Sequence, residues 1–371
     1  MSAPRRTRAA LAITVMLLIL LGLRVWSSGQ AAAISGPTHL RSGDDGKVYL
    51  VLTDALLVLS PQGQLLDEIP LSRFGVERLI GDFWVSNQQQ ILLRAGQDGG
   101  GLLRSLRIFN RVNGDGGDQM PAGQVTLQWC ALATGNCKPF AGGFRSNRTF
   151  KLWRDAASGA FLVADTAQRR LLRLRVDGEV EASSGQDFAF PNTLQLGPDG
   201  LLYVADTNHH RIVAVDPQVA SFGAERNAYP VQMDILRGRD WPNALAVAGD
   251  GTRWVVNAGP DMAHGDLLVY EKDGRIRHEI TLPDGADPLS ILIVDTRVLV
   301  ADTGRFVIHV FDPAGNALPA FGDAAFQQEL QQAAHAKLVY SRISTGAMGL
   351  LIMVFIAALL LYRRAKRLGQ I

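Results

Sequence analysis

Short apolar runs alternate with turns rich in Gly and Asp through the middle of the chain, and one long uncharged run stands near each end. Leu201 to Ala205 and Arg211 to Val215 are apolar runs too short for ordinary helices. With turn residues such as Pro198, Asp199 and Gly200 between such runs, the pattern predicts antiparallel hairpins. The terminal runs follow a different rule. Residues 9–23, AALAITVMLLILLGL, follow Arg5, Arg6 and Arg8 and precede Arg24, Val25 and Trp26. Fifteen residues are short for a bilayer core, but snorkelling of Arg24 and Trp26 extends the reach, so residues 9–26 read as a signal anchor or transmembrane helix. A cleaved signal peptide fits as well, because Ala31, Ala32 and Ala33 supply small residues downstream.

Residues 343–362 form twenty uncharged positions followed by Arg363, Arg364, Lys366 and Arg367. A helix of that length spans about 30 Å, a hydrocarbon core's thickness. Basic tails at 1–8 and 363–371 place both termini on the cytoplasmic side, leaving the middle in the periplasm of a bacterial inner-membrane protein. Between propeller and span, residues 323–342 (with FQQELQQAAHAKLVY) predict a helical connector carrying Phe326 and Leu330 on one side.

The middle repeats. FPNTLQLGPDGLLYVADTNHHRIVAVDP (190–217) and FKLWRDAASGAFLVADTAQRRLLRLRVDG (150–178) share strand, turn, strand ending in Val-Ala-Asp-Thr, turn and strand. Further copies lie at 241–274, 289–315 and 38–63, with a weak one beginning near Phe83. Taking Asp54, Gly96, Asp165, Asp206, Asn257 and Asp302 as equivalent turns gives spacings of 42, 69, 41, 51 and 45 residues. Most of these match a four-stranded propeller blade, and the long interval holds an elaboration with Cys130 and Cys137. The expected fold is therefore mainly β: a six-bladed β-propeller with terminal transmembrane helices. One blade alone would expose two apolar faces, so the copies must pack on one another around an axis.

Pro191, Asn192, Pro198, Asp199, Gly200, Tyr203, Val204, Ala205, Asp206, Arg211 and Ile212 carry a resemblance to the NHL-repeat family of six-bladed propellers, extending with decreasing quality over about 36–322. The chain looks like a membrane-anchored bacterial member. Blade five departs with Asn257 and with Gly259-Pro260-Asp261, and blade two lacks the motif. Some six-bladed relatives resemble calcium-dependent lactonases or lyases, whose pockets use converging polar and metal-ligating groups.

Composition narrows the rest. In 371 residues there are 38 Gly and 16 Pro against 47% hydrophobic residues, which excludes collagen-like and disordered chains. The formal charge is +2, and setting aside the seven tail cations leaves about −5, a poor balance for binding nucleic acid. The two cysteines, in WCALATGNCKPF, are placed for a short hairpin, and a disulfide is expected in an oxidising compartment; two reduced thiols are the alternative.

Asp165, Asp206 and Asp302 read as repeat-turn residues that accept backbone hydrogen bonds. Non-repeated polar residues near the starts of successive units, His39, Asn147, Arg148, Asn192 and Asn243, form the candidate pocket at the axis. Trp129 beside Cys130 is a candidate interaction rim. No catalytic residue, metal ligand or cofactor is assigned, since no nucleophile elbow or phosphate loop stands out. These features favour a membrane-tethered envelope protein presenting its propeller to a membrane or periplasmic protein complex as a scaffold. The alternative is a small-ligand sensor or a lactonase- or lyase-like enzyme using the central pocket. An axis packed with aliphatic side chains would favour the first; a deep pocket with His39 and convergent asparagines would favour the second.

Overall fold

The computed structural model describes residues 3–94, 127–140, 150–231, 240–259 and 264–367. Twenty-four strands form six four-stranded antiparallel sheets, the blades of a propeller. Blade one comprises β1 (Thr38–Ser42), β2 (Val48–Leu52), β3 (Ala55–Leu59) and β4 (Leu65–Pro70). Blade two comprises β5 (Trp84–Val85), β6 (Gln90–Arg94), β7 (Leu127–Ala131) and β8 (Cys137–Pro139). Blade three follows with β9 (Phe150–Arg154), β10 (Phe161–Asp165), β11 (Arg170–Leu174) and β12 (Val180–Ser183). Blade four has β13 (Pro191–Leu196), β14 (Leu202–Asp206), β15 (Arg211–Val215) and β16 (Glu225–Pro230). In blade five the strands are β17 (Trp241–Val247), β18 (Arg253–Ala258), β19 (Gly265–Tyr270) and β20 (Ile276–Ile280). Blade six ends the ring with β21 (Pro288–Val294), β22 (Arg297–Asp302), β23 (Val307–Phe311) and β24 (Ala317–Leu318).

The sequence pattern follows from this layering. Second strands such as VYLVL, FLVAD and LYVAD are buried along their whole length, because both faces meet neighbouring blades. Outer strands such as VEAS in β12 and ERNAYP in β16 are largely exposed and carry the polar residues. Clusters such as Leu162, Leu171, Leu202, Val204 and Val213 fill the space between blades three and four.

The repeated Asp-Thr pair works in two directions. Asp206 Oδ1 accepts from Ala189 N at 2.7 Å and its Oδ2 from Arg211 Nε at 2.9 Å. Asp165 accepts from Gln168 N, and Asp302 from the backbone N–H groups of Asp287, Gly304 and Arg305. The threonines reach outward: Thr166 Oγ1 donates to Pro191 O at 2.8 Å and Thr207 Oγ1 to Pro242 O at 2.7 Å, each on the next blade's first strand. The motif therefore shapes its turn and also ties blade to blade.

One sequence expectation needs correction. Cys130 and Cys137 form a disulfide between β7 and β8, which are the outer strands of blade two itself, so the hairpin belongs to the blade rather than to an added elaboration. Gly96, taken as that blade's equivalent turn, lies outside the described residues.

No strand is shared between the first and last blades. Blades one and six instead meet through Leu40 N on Ser290 Oγ at 3.0 Å and Arg297 Nη2 on Pro61 O at 2.7 Å. Asp323 completes the seam: its N–H donates to Gly63 O at 3.0 Å, its Oδ2 accepts from Leu65 N, and its Oδ1 caps the following helix through Phe326 N. Gly63 (φ 96) and Gly322 (φ 109) both adopt left-handed backbone there.

The chain divides into two compact units, Gly36–Leu330 and a terminal unit of Met1–Ser35 with Gln331–Ile371. Helix α1 covers Ala3–Ala33, and α2 runs unbroken from Ala324 to Arg367, so connector and apolar run form one helix. Its first turns belong to the propeller unit, where Phe326 and Leu330 are buried. Within the terminal unit Trp26 and Tyr340 meet edge to face at 5.6 Å. Both helices are long and apolar enough to cross a membrane. Leu18 and Phe355 are 62% and 64% exposed, so apolar surface that water would disfavour stands open on each.

Candidate functional site: the axial cavity

A partly open cavity of about 230 Å³ lies among the first strands of the propeller, lined by residues of all six blades or the segments leading into them. Its lining is divided. Blades one to three contribute His39, Arg41, Asp82, Lys151 and Trp153, whereas blades four to six contribute mainly Leu194, Ala244, Leu245, Leu289, Ile291 and Ile293.

Backbone register explains how these side chains arrive. The first strands of blades one, four, five and six each carry a register shift near the start, between Thr38 and Arg41, Pro191 and Thr193, Pro242 and Ala244, and Pro288 and Ser290. Such a bulge inserts one unpaired residue and re-aims its neighbours. His39, Asn192 and Asn243 sit in these shifts, which is why they recur at one position in successive units. In blade three β9 pairs with β10 without a shift, so plain alternation operates: Leu152 is buried in the interblade core while Lys151 and Trp153 line the cavity.

The charged half is a connected group. Asp82 is fully buried; its Oδ1 accepts from Arg41 Nε at 3.1 Å and Phe83 N at 3.0 Å, and its Oδ2 from Arg41 Nη2 and from Leu152 N at 2.9 Å. Burial alone would push its carboxyl up, but Arg41 and then Lys151 outweigh that effect and hold it at about 2. His39 is tied on both sides, Nε2 to Gly81 O at 2.7 Å and Nδ1 to Thr38 Oγ1 at 2.9 Å. The carbonyl can only accept, so the proton of the neutral ring lies on Nε2. Burial and the nearby Lys151 charge lower the imidazole to about 3, keeping it uncharged. Lys151 is lowered from its ordinary value, chiefly by burial and further by Arg41, with Asp82 opposing. Among the described residues its ammonium has no hydrogen-bond or ion-pair partner.

Several other polar groups near the axis are paired. Asn192 donates its amide to Asn243 Oδ1, so these two candidates pair with each other across blades four and five. Thr193 Oγ1 donates to Asn243 O, and Gln195 clamps Val247 by donating to its carbonyl and accepting from its N–H. Of the other sequence candidates, His39 lines the cavity, and Asn147 and Arg148 lie outside the described residues. Trp129, the candidate rim residue, is partly buried and packs against Phe140 and Phe161 beside the core between blades two and three.

Sequence reasoning passed over Arg41, Asp82 and Lys151. A signal was present in FKLWR, where a lysine alternates with apolar residues on a predicted strand, because a strand lining the axis has one face turned to the opening. A larger hollow, about 330 Å³, lies along blade five near Asp266, Glu279 and Asp284. There Asp266 Oδ1 is held by Leu282 N at 2.9 Å, which gives that carboxylate a structural role.

The cavity's donors do not suit a divalent cation of the calcium type. Such an ion takes about six to eight oxygen ligands. Asp82 is the single carboxylate among the described lining residues; both its oxygens are engaged, and two cationic side chains stand beside it. Among the described residues no group of three or more His, Cys, Asp or Glu side chains is arranged to hold a metal ion.

The family described as SMP-30/Gluconolactonase/LRE-like region matches residues 158–297, from blade three into blade six. Among curated proteins, none matches the chain. Solved structures of similar shape include a streptogramin B lyase, at 14% identity and TM-score 0.52 over 78% of this chain and 84% of that one. A putative gluconolactonase gives 14% and 0.52 over 77% and 91%. The virginiamycin B lyase of Staphylococcus aureus with quinupristin gives 13% and 0.51 over 78% and 85%. Likeness at these identities shows a shared six-bladed propeller fold.

Proposed function

We propose that the protein binds a small ligand in the axial cavity of a membrane-tethered propeller. The carrying observation is the ammonium of Lys151, which lines the cavity without a hydrogen-bond or ion-pair partner among the described residues, while Asp82, Asn192, Asn243 and Gln195 are bonded to other groups. Lys151 is half-buried, and an ammonium drawn partly out of water gains from a counter-charge. At about 230 Å³ the cavity lies just below the roughly 300–1,000 Å³ of drug-sized sites, so the ligand is small.

Turnover of that ligand is the second reading, favoured by the family match over 158–297 and by the lactonase and lyase relatives of similar shape. In such a reaction Lys151, whose pKa burial lowers, is the candidate proton acceptor, since both nitrogens of His39 are engaged. Presentation of the propeller to a protein complex is a further reading, with the partly buried Trp129 as its proposed contact. The NHL-like turn signature belongs to the same reading of the fold. The apolar helices serve as inner-membrane spans, or α1 as a signal sequence, with the basic tails cytoplasmic and the propeller periplasmic.

Ligand-observed NMR on the full chain in mild detergent, with a library of small neutral and charged molecules including simple lactones, tests the reading. Binding that a Trp153→Leu substitution perturbs supports it. Absence of binding across the library, in protein shown to be folded, overturns it.

A further inference from the structure

The ligand's chemical class can be read from the cavity's charge and shape, an inference that rests on the axial cavity being a ligand site. Arg41 and Lys151 bring two positive charges, Asp82 one negative charge, and His39 is neutral. Among the described lining residues one positive charge therefore remains uncompensated, and it resides on Lys151, because Arg41 already grips Asp82 through two nitrogens. Opposite this corner the wall is aliphatic, formed by Leu194, Leu289, Ile291 and Ile293. We propose that the axial cavity takes a small monocarboxylate with an aliphatic body, its carboxylate on the Lys151 ammonium and its chain against the blade-six wall.

Each alternative class fails a specific requirement. A cation would meet like charge from two sides and find no free carboxylate oxygen. A dianion would leave one negative charge buried without a counter-charge, which is strongly unfavourable. A neutral polar molecule would leave the ammonium unpaired. A monoanion completes the balance, and an ammonium–carboxylate hydrogen bond inside protein is stronger than a neutral one. The volume matches a chain of a few carbons, and Leu289, Ile291 and Ile293 give such a chain apolar contact.

The test uses hexanoate and its neutral isostere hexanamide, titrated into the full-length protein in low-chloride buffer, with wild type, Lys151→Met and Lys151→Arg compared. Wild type is expected to prefer hexanoate by about tenfold or more at pH 7, the scale of one charge-assisted hydrogen bond. Lys151→Met should abolish the preference while keeping amide binding, and Lys151→Arg should retain part of it. In wild type the preference should fade as alkaline pH removes the Lys151 proton, earlier than for an ordinary lysine; Asp82, Arg41 and His39 are the charged and titratable groups facing it. This pH series stands even if the methionine variant does not fold. Equal binding of both probes by wild type, or an undiminished preference in Lys151→Met, overturns the carboxylate assignment alone. Failure of both probes to bind wild type overturns the assignment, whereas the ligand-site reading falls only if the whole library also fails to bind.

Discussion

Arg41 holds Asp82 from the neighbouring blade, its Nε 3.1 Å from Oδ1 and its second guanidinium nitrogen on Oδ2. The pair closes the charged half of the cavity, and Asp82 also receives the N–H groups of Phe83 and Leu152, so one carboxylate fixes segments from blades one, two and three. Removing one member of such a buried pair leaves the other uncompensated. Asp82→Asn is expected to destabilise the propeller by about 3 kcal/mol. Denaturant unfolding of the full chain checks this; a change under about 0.5 kcal/mol would show that the pair is not holding the axis.

Stability should also depend on pH through His39. Its folded value of about 3 lies below the ordinary 6.5, so over that interval the unfolded chain binds a proton that the folded ring refuses. The contribution is fully present above pH 6.5 and is lost as the pH falls toward 3, at up to about 1.4 kcal/mol per pH unit for one proton. Asp82, with a folded value of about 2, adds loss at the acid end in the same direction. His39→Asn, which tolerates the left-handed backbone at φ 50, should flatten the slope between pH 6.5 and 4. An unchanged slope would place the proton uptake elsewhere.

The seam between the first and last blades is sensitive to single methyl groups. A Cβ at Gly63 would stand 2.7 Å from the backbone of Gly322, and one at Gly322 would strike the Phe326 ring. Both positions also have positive φ, so Gly63→Ala should lower stability by about 2–4 kcal/mol, seen as a drop of several degrees in Tm. Gly75→Ala, also at positive φ but with open space around it, isolates the backbone contribution and should lose less.

Blade two carries its own brace. The disulfide closes a loop of sequence separation 7, for which chain entropy gives about 2 kcal/mol. Reduction, or replacement of both cysteines by serine, is expected to lower stability by that amount and to speed proteolysis of β7 and β8 first. Equal proteolysis in oxidised and reduced protein would argue against it.

The blades were legible in the sequence because the Asp-Thr turns recur in the same place; Asp165 and Asp302 accept backbone hydrogen bonds from the turn that follows, whereas Asp206 accepts from Ala189 N ahead of its own blade. The cavity was harder to read. His39, Asn192 and Asn243 shared a position because they occupy equivalent bulges, but a shared position does not reveal that two of them satisfy each other. Asp82 was hidden by a blade whose first strand has two residues, leaving no periodicity to mark it. Lys151 looked like one more surface charge until β10 fixed which face of β9 turns inward.

Since every sheet is built from four consecutive strands, the join between Ser290 and Leu40 interrupts no ladder. The order in which the blades are written along the chain is thus a convention of the gene more than a requirement of the fold. A circular permutant restarted between β12 and β13, with its original ends fused, would regenerate all six sheets and need only the side-chain clasp at Asp323, Gly63 and Arg297 to find itself again.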